Sequence, residues 1–357
     1  MIPVFEPWLN QREIEQVTDS ICNNWITGGP KVKAFEERIA RLCGVKHAIA
    51  CMNGTVALYM GLKAMGIGEG DEVIVPDFTF IASANAVTWT GAKPVFVDIR
   101  RDTFNIALSA IAKVITTKTK AIMPVHIYGQ SADMDAVMAS AVLYKLLVIE
   151  DAAQGIGVKW QGKPVGGIGD IGTLSFYADK TITTGEGGMV LTNNNEYARQ
   201  CLILKHQGRT GRGFYRHEYI GYNFRMTDLQ AGIGLAQLEK LDEIIERKHR
   251  IAKKYYDALA DVKGVEVPFV DARSKTVPFR VNILVDNPVK LGEYLAQRGI
   301  QTRGFFLPLH QQPCYQQSGE FPNALWAYGH GLSLPSGVRL TDSELQEVIE
   351  GVKSYYV

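Results

Sequence analysis

The chain has 357 residues, 46% of them hydrophobic and 21% charged, with a formal net charge of +1. That balance suits an ordinary globular protein large enough for one large domain and a smaller one, and it offers no basic excess for a nucleic-acid or membrane surface. Five scattered cysteines, odd in number and without CxxC spacing, argue against a disulfide framework and a zinc site, so no metal is expected.

The opening Met1-Ile2-Pro3-Val4-Phe5-Glu6-Pro7 lacks the basic and apolar regions of a signal peptide. No uncharged apolar run approaches the roughly 20 residues needed to cross a bilayer, and the expected address is the cytoplasm. Between about 35 and 200, short apolar stretches alternate with helical ones. Phe35, Ile39 and Leu42 recur at helical spacing, and Gly44 follows as a residue that can end the helix. Runs at 47–51, 72–75, 94–97, 121–127, 146–149, 173–177 and 189–191 are mostly too brief for helices and rich in Val and Ile, as buried strands are. Helical stretches such as 56–65 separate several of them. The pattern predicts an α/β fold with a doubly wound, mostly parallel sheet.

From about 226 to 260 the pattern is long and helical, with Leu229, Ile233, Ala236, Leu241, Ile244, Ile245 and Ile251 on the apolar side. Glu246-Arg247-Lys248-His249-Arg250 reads as its solvated face. After Gly264 a second pattern begins, with strands over 279–285 and 300–307, a helix over 289–297 and a closing helix over 340–352. The economical division is a large domain over 1–240, then a linking helix and small α/β domain over 241–357.

In an open α/β sheet, ligands sit outside the carboxyl ends of the strands. Asp151 closes the strand at 146–149, where a carboxylate could keep a pyridine nitrogen protonated and make its ring an electron sink. Asn53-Gly54-Thr55 follows the first strand and opens a helix, whose free N–H groups and Thr55 hydroxyl suit a phosphate. Ser175 could add a second hydroxyl, and Phe80 could stack on a flat ring. Lys180 follows the strand-like Ser175-Phe176-Tyr177 and precedes the glycine-rich Gly185-Glu186-Gly187-Gly188. Partly desolvated, such a lysine suits Schiff-base formation and proton transfer. Singly, these residues also read as an N-cap, a turn, a core aromatic and a surface lysine. Their order and spacing carry the weight.

With that order, the chain resembles the nucleotide-sugar aminotransferases of the DegT/StrS group, pyridoxal-phosphate (PLP) enzymes with the aspartate-aminotransferase fold, PLP fold type I. The likeness runs nearly end to end. It includes Trp25-Ile26-Thr27-Gly28-Gly29-Pro30, Gly70-Asp71-Glu72-Val73-Ile74-Val75-Pro76, Pro124-Val125-His126-Ile127-Tyr128-Gly129, Glu150-Asp151-Ala152-Ala153-Gln154, Gly221-Tyr222-Asn223-Phe224-Arg225-Met226 and Pro308-Leu309-His310-Gln311. The resemblance implies that Lys180 holds PLP, Asp151 pairs with the ring nitrogen, Gln154 approaches the ring hydroxyl and Phe80 stacks on the ring. It further implies that Gly54, Thr55 and Ser175 hold the phosphate. Asn223 would reach the phosphate of a neighbouring subunit, making a homodimer with active sites at its interface. His310 and Arg303 would lie near the sugar nucleotide, as would His126, although a core histidine or surface arginine fits equally well.

Within the group, the segments 179–189, 220–227 and 233–238 are most similar to members that move an amino group from L-glutamate to C4 of GDP-4-keto-6-deoxymannose. Two departures stand out. A tryptophan is expected around Val277-Pro278-Phe279, and a proline where Gly304 stands. A 3- or 4-aminotransferase acting on a dTDP- or UDP-linked keto sugar is the alternative. A related sugar dehydrase would carry histidine in place of Lys180, and a non-catalytic regulator would be expected to lose Lys180 or Asp151.

Overall fold

The computed structural model describes every residue except 212–214, 216 and 357. Helices α1 (Gln11–Cys22) and α2 (Pro30–Cys43) open the chain. Asn10 and Glu13 cap α1 reciprocally; Pro30 starts α2 and Gly44 ends it in the left-handed region at φ 66°. After Phe35 and Ile39 the next buried residue of α2 is Cys43, one position beyond the expected Leu42, which is partly exposed.

The large sheet is built from β1 (His47–Cys51), β2 (Glu72–Pro76), β3 (Lys93–Val97), β4 (Thr119–Ile122) and β5 (Leu147–Asp151), with later strands described below. Helices α3 (Gly54–Ala64), α4 (Ala82–Trp89) and α5 (Met134–Tyr144) connect them. The short strands β6 (Lys159–Trp160) and β7 (Lys163–Pro164) form a side hairpin, and β8 (Ile171–Ser175) and β9 (Gly188–Thr192) complete the sheet. Among the described residues its order is β1-β9-β8-β5-β4-β2-β3, with β9 antiparallel to both neighbours and every other pairing parallel.

Alternate residues of these strands enter cores on opposite faces. Val73, Val75 and Ile149 join one, and Ile74 and Val148 the other, as a sheet covered on both faces requires. Helices α6 (Asn195–Lys205) and α7 (Asp228–Glu239) pack on this assembly, and α8 (Leu241–Leu259) leads away from it. The smaller sheet has the order β10 (Val265–Glu266), β12 (Val281–Val285), β14 (Gly331–Leu334), β13 (Arg303–Gly304). Strand β11 (Ser274–Lys275) extends the side hairpin, while α9 (Pro288–Ala296), α10 (Pro322–His330) and α11 (Asp342–Tyr355) accompany the smaller sheet. A third core, with Leu291, Ile283 and Val348, lies here; Ile2 joins it, its backbone bridged to Ile300.

Four sequence expectations change. The strand expected at 121–127 stops at Ile122, because Pro124 cannot donate to a ladder and the chain then tightens into a turn at Ile127–Gly129. The single helix expected over 226–260 is two helices broken at Lys240. Only Arg303–Gly304 of the strand expected over 300–307 joins the sheet. Most important, Lys248 is not on a solvated face: it is 2% exposed, and its ammonium donates to the Phe279 carbonyl at 3.3 Å.

Candidate active site

A cavity of about 510 Å³ opens at the carboxyl ends of β1, β2, β5 and β8. Lys180, Asp151, Gly54, Thr55, Phe80, Gln154, Ser175 and Arg303 all line it. Each position has a local cause. Asn53 Oδ1 accepts from the Val56 N–H and caps α3, so the first-turn N–H groups of Gly54 and Thr55 lack intrahelical acceptors. A Cβ on Gly54 would lie 2.8 Å from Ser175 Cβ and 3.0 Å from its Oγ, so only glycine lets helix and strand meet here. The result is a cradle of backbone donors flanked by two hydroxyls, which fits a phosphate.

Asp151, the last residue of β5, is buried. Its Oδ1 accepts from Ala153 N–H at 3.1 Å and its Oδ2 from Ser83 Oγ at 2.7 Å. Gln154 Oε1 accepts from Tyr128 N–H at 2.6 Å, which leaves the NH₂ end for the cavity. Phe80 is 57% exposed, with Phe306 as a tilted neighbour 6.0 Å away.

Lys180 sits over the Phe279 ring, Nζ 4.6 Å from its centroid and 4.0 Å from Asp179 Oδ1. Burial pulls its ammonium below the ordinary lysine value, and Arg280 pulls the same way against the opposing charges of Asp179 and Asp151. A lysine that gives up its proton readily, a buried carboxylate and a phosphate cradle around one cavity fit PLP.

His310 and His126 do not line this cavity, and Asn223, expected at a neighbouring subunit's site, lies outside it as well. His310 is held by Asp77, with Nδ1 2.6 Å from Oδ2 and its N–H donating to Oδ1, and it stacks on Phe321. Burial pushes the Asp77 carboxyl up despite those bonds. His126 is fully buried; its Nδ1 accepts from Ala132 N–H, so Nε2 donates to Glu150 at 3.0 Å, the satisfied core histidine already weighed as an alternative. Asn223 is exposed, its Oδ1 accepting from Arg225 Nε at 2.8 Å, and it does not line the cavity of its own chain.

The sequence reading missed Asp179, Glu186, Phe279, Arg280 and Phe306, which also line the cavity. Asp179 bonds Arg280 Nη2 at 2.9 Å and lies 3.6 Å from Arg303 Nη1. Its place beside Lys180 was a usable signal, as was a charge standing just before the fully buried strand β12. Among the described residues, no group of three or more His, Cys, Asp or Glu could hold a metal ion, and no helix is long and apolar enough to cross a membrane.

The model of the DegT/DnrJ/EryC1/StrS aminotransferase family matches residues 7–353. The chain belongs to this family. It is a PLP-dependent aminotransferase with the fold of that group. It is 42% identical over 360 residues to GDP-perosamine synthase of Escherichia coli O157:H7, covering 99% of this chain and 98% of that protein. Caulobacter vibrioides GDP-perosamine synthase is 41% identical over 371 residues, covering 100% and 98%. Spr1654 from Streptococcus pneumoniae, solved in a PLP form, superposes with a TM-score of 0.93 at 29% identity, covering 99% and 98% of the two chains.

Proposed function

We propose that this aminotransferase moves the amino group of L-glutamate to C4 of GDP-4-keto-6-deoxymannose, giving GDP-perosamine. The observation that carries this reading is the full-length similarity to enzymes of that name, joined to a cavity with Lys180 desolvated beside two arginines. Both proposed substrates are anionic, and Arg280 and Arg303 stand on the cavity wall as donors to meet them. Such charged substrates do not cross a bilayer unaided, which supports a cytoplasmic address.

Gly54, Thr55 and Ser175 would hold the PLP phosphate, Phe80 and Gln154 the ring, Asp151 the ring nitrogen and Lys180 the aldehyde carbon. Bound there, PLP supplies a carbonyl that exchanges amino groups and a ring that accepts electron density from the neighbouring carbon. Lys180 Nζ would take the proton from the amino donor's carbon and return it to the carbonyl carbon that the cofactor supplies, leaving the lysine as it began. Phe279 covers one side of Nζ, its ring centroid 4.6 Å away. The reverse transfer gives the sugar its amine.

A second copy of the chain would complete the site. Met52, Trp89 and Tyr222 are exposed apolar residues: Met52 precedes the cavity-lining Asn53, and Tyr59, which follows the lining Leu58, contacts both the Trp89 and Tyr222 rings. Covering this strip with a partner would bury it and carry Asn223 toward the partner's phosphate cradle.

The test is purified enzyme with PLP and L-glutamate, offered GDP-4-keto-6-deoxymannose or dTDP-4-keto-6-deoxyglucose in separate reactions and read by mass spectrometry. An amino sugar from the GDP substrate alone is expected. Product from the dTDP substrate alone would move the assignment to the alternative keto sugar. If glutamate does not convert the cofactor to its amine form, the roles given to Lys180 and Asp151 fail.

A further inference from the structure

Ser83, the second residue of α4, is fully buried and has no part in the scheme above. Its Oγ lies 2.7 Å from Asp151 Oδ2 and 3.0 Å from Thr79 Oγ1. An ionised carboxylate can only accept, so Ser83 donates to Asp151. Having used its one proton, the Ser83 hydroxyl accepts from Thr79. The bonds therefore run one way, from Thr79 through Ser83 to Asp151. Among the described residues, no basic side chain is paired with Asp151, and the only other donor to its carboxylate is the Ala153 N–H.

We propose that Ser83, backed by Thr79, is a positioning residue that keeps the proton shared by Asp151 and the cofactor ring on the ring nitrogen. This rests on the reading of Asp151 as the ring's partner. The shared proton has two seats: on nitrogen it makes an ion pair, and on oxygen a neutral pair. In a dry pocket the neutral pair is favoured unless donors stabilise the carboxylate. Ala153 N–H serves one oxygen, and the Ser83 hydroxyl serves the other. Thr79, itself buried, holds Ser83 so that its proton cannot turn away. Losing a hydrogen bond to a charged group shifts such a balance by about tenfold to a hundredfold. The electron-accepting power of the ring falls in step.

The experiment loads wild-type enzyme, Ser83→Ala, Ser83→Thr, Thr79→Val and Asp151→Asn with PLP carrying nitrogen-15 in the ring, and reads the ring-nitrogen chemical shift by NMR. The wild-type signal is expected at the protonated position. Ser83→Ala should displace it toward the unprotonated position, Thr79→Val should displace it less in the same direction, and Ser83→Thr should restore it. A merely structural role would leave the nitrogen signal where it is. If Ser83→Ala or, should that variant not fold, Thr79→Val leaves the signal unmoved while Asp151→Asn displaces it, the proposal for Ser83 is overturned and Asp151 keeps its role. If Asp151→Asn also leaves it unmoved, the Asp151 assignment itself fails, and the Ser83 proposal with it.

Discussion

Two regions line the same cavity and reach it by different routes. Asp151 and Ser175 end β5 and β8, and Gly54 and Thr55 open the helix that follows β1. Each is placed by a short buried strand whose end can be counted along the chain. Phe279, Arg280, Arg303 and Phe306 come instead from the chain around the smaller sheet, brought over by contacts far apart in sequence. One such contact is the crossing of 277–279 over the turn at Tyr128–Gly129, where Val277 N–H donates to Gly129 and Phe279 N–H to Tyr128. Gly129 has φ 83°, and a Cβ there would overlap the Val277 carbonyl. On the proposed reading, the strand-end region would carry the cofactor chemistry. The second region would supply charge and closure, and with them the means to tell substrates apart.

The largest expected effect tests the first region. Lys180→Ala should lower turnover by at least about 10⁴-fold, because it removes both the covalent attachment and the mobile proton. Product formation under saturating glutamate and keto sugar checks it. Near-normal turnover would break the assignment of Lys180 altogether.

The two arginines of the second region should differ from each other. Arg280 is 10% exposed and bonds Asp179 at 2.9 Å, whereas Arg303 is 53% exposed and stands 3.6 Å away. Arg280→Ala leaves a poorly hydrated carboxylate without its close partner and should cost about 10²-fold in kcat/KM. Arg303→Ala should cost about threefold, as solvated ion pairs do. Arg280 also pulls the Lys180 proton affinity down. Without it, the limb of the pH–rate profile that reports Lys180 should move to higher pH. Equal losses from both variants would erase the distinction drawn here.

Most of the first region was legible because strand ends and glycine positions are local facts. The strands placed at 47–51 and 72–75 recur almost unchanged as β1 and β2. The second region was less so. Nothing near His310 points to Asp77, 233 residues away, yet that carboxylate holds both its ring and its backbone. Lys248 is a different kind of miss. It lies four residues after Ile244 and three before Ile251, on the buried stripe of α8, so helical spacing alone contradicted the solvated reading.

Burial makes Lys248 testable through stability. Its ammonium is pulled from 10.5 down to about 8 by desolvation, with Asp179 opposing and Arg280 assisting. Between those pH values the unfolded chain holds a proton that the folded chain has released, so folding gains stability as pH rises from 8 to 10.5. Below pH 8 the full penalty of about 3 kcal/mol applies, offset by about 1 kcal/mol from the bond to the Phe279 carbonyl. Lys248→Met should therefore stabilise the protein by about 2 kcal/mol at pH 7 and lose that advantage by pH 10. Urea unfolding of the two proteins at both pH values reads it. An advantage that grows with pH would reverse the sign and place the lysine in water.

A modest effect is expected where the regions meet. Phe80 comes from the loop after β2, and its near neighbour Phe306 belongs to the second region. A ring 57% exposed inside a cavity is either half of a stacking pair awaiting its partner or part of the strip a second subunit covers. Phe80→Leu keeps most of the apolar area but loses the flat face. Stacking is worth about 0.5–1.5 kcal/mol beyond burial, so PLP should bind the variant apoenzyme about three- to tenfold more weakly with the dimer intact. Titration of apoenzyme with PLP, beside a sedimentation measurement, separates the two readings. Unchanged cofactor affinity with a weakened dimer would assign Phe80 to the subunit face and leave Phe306 as the aromatic residue of the cavity wall.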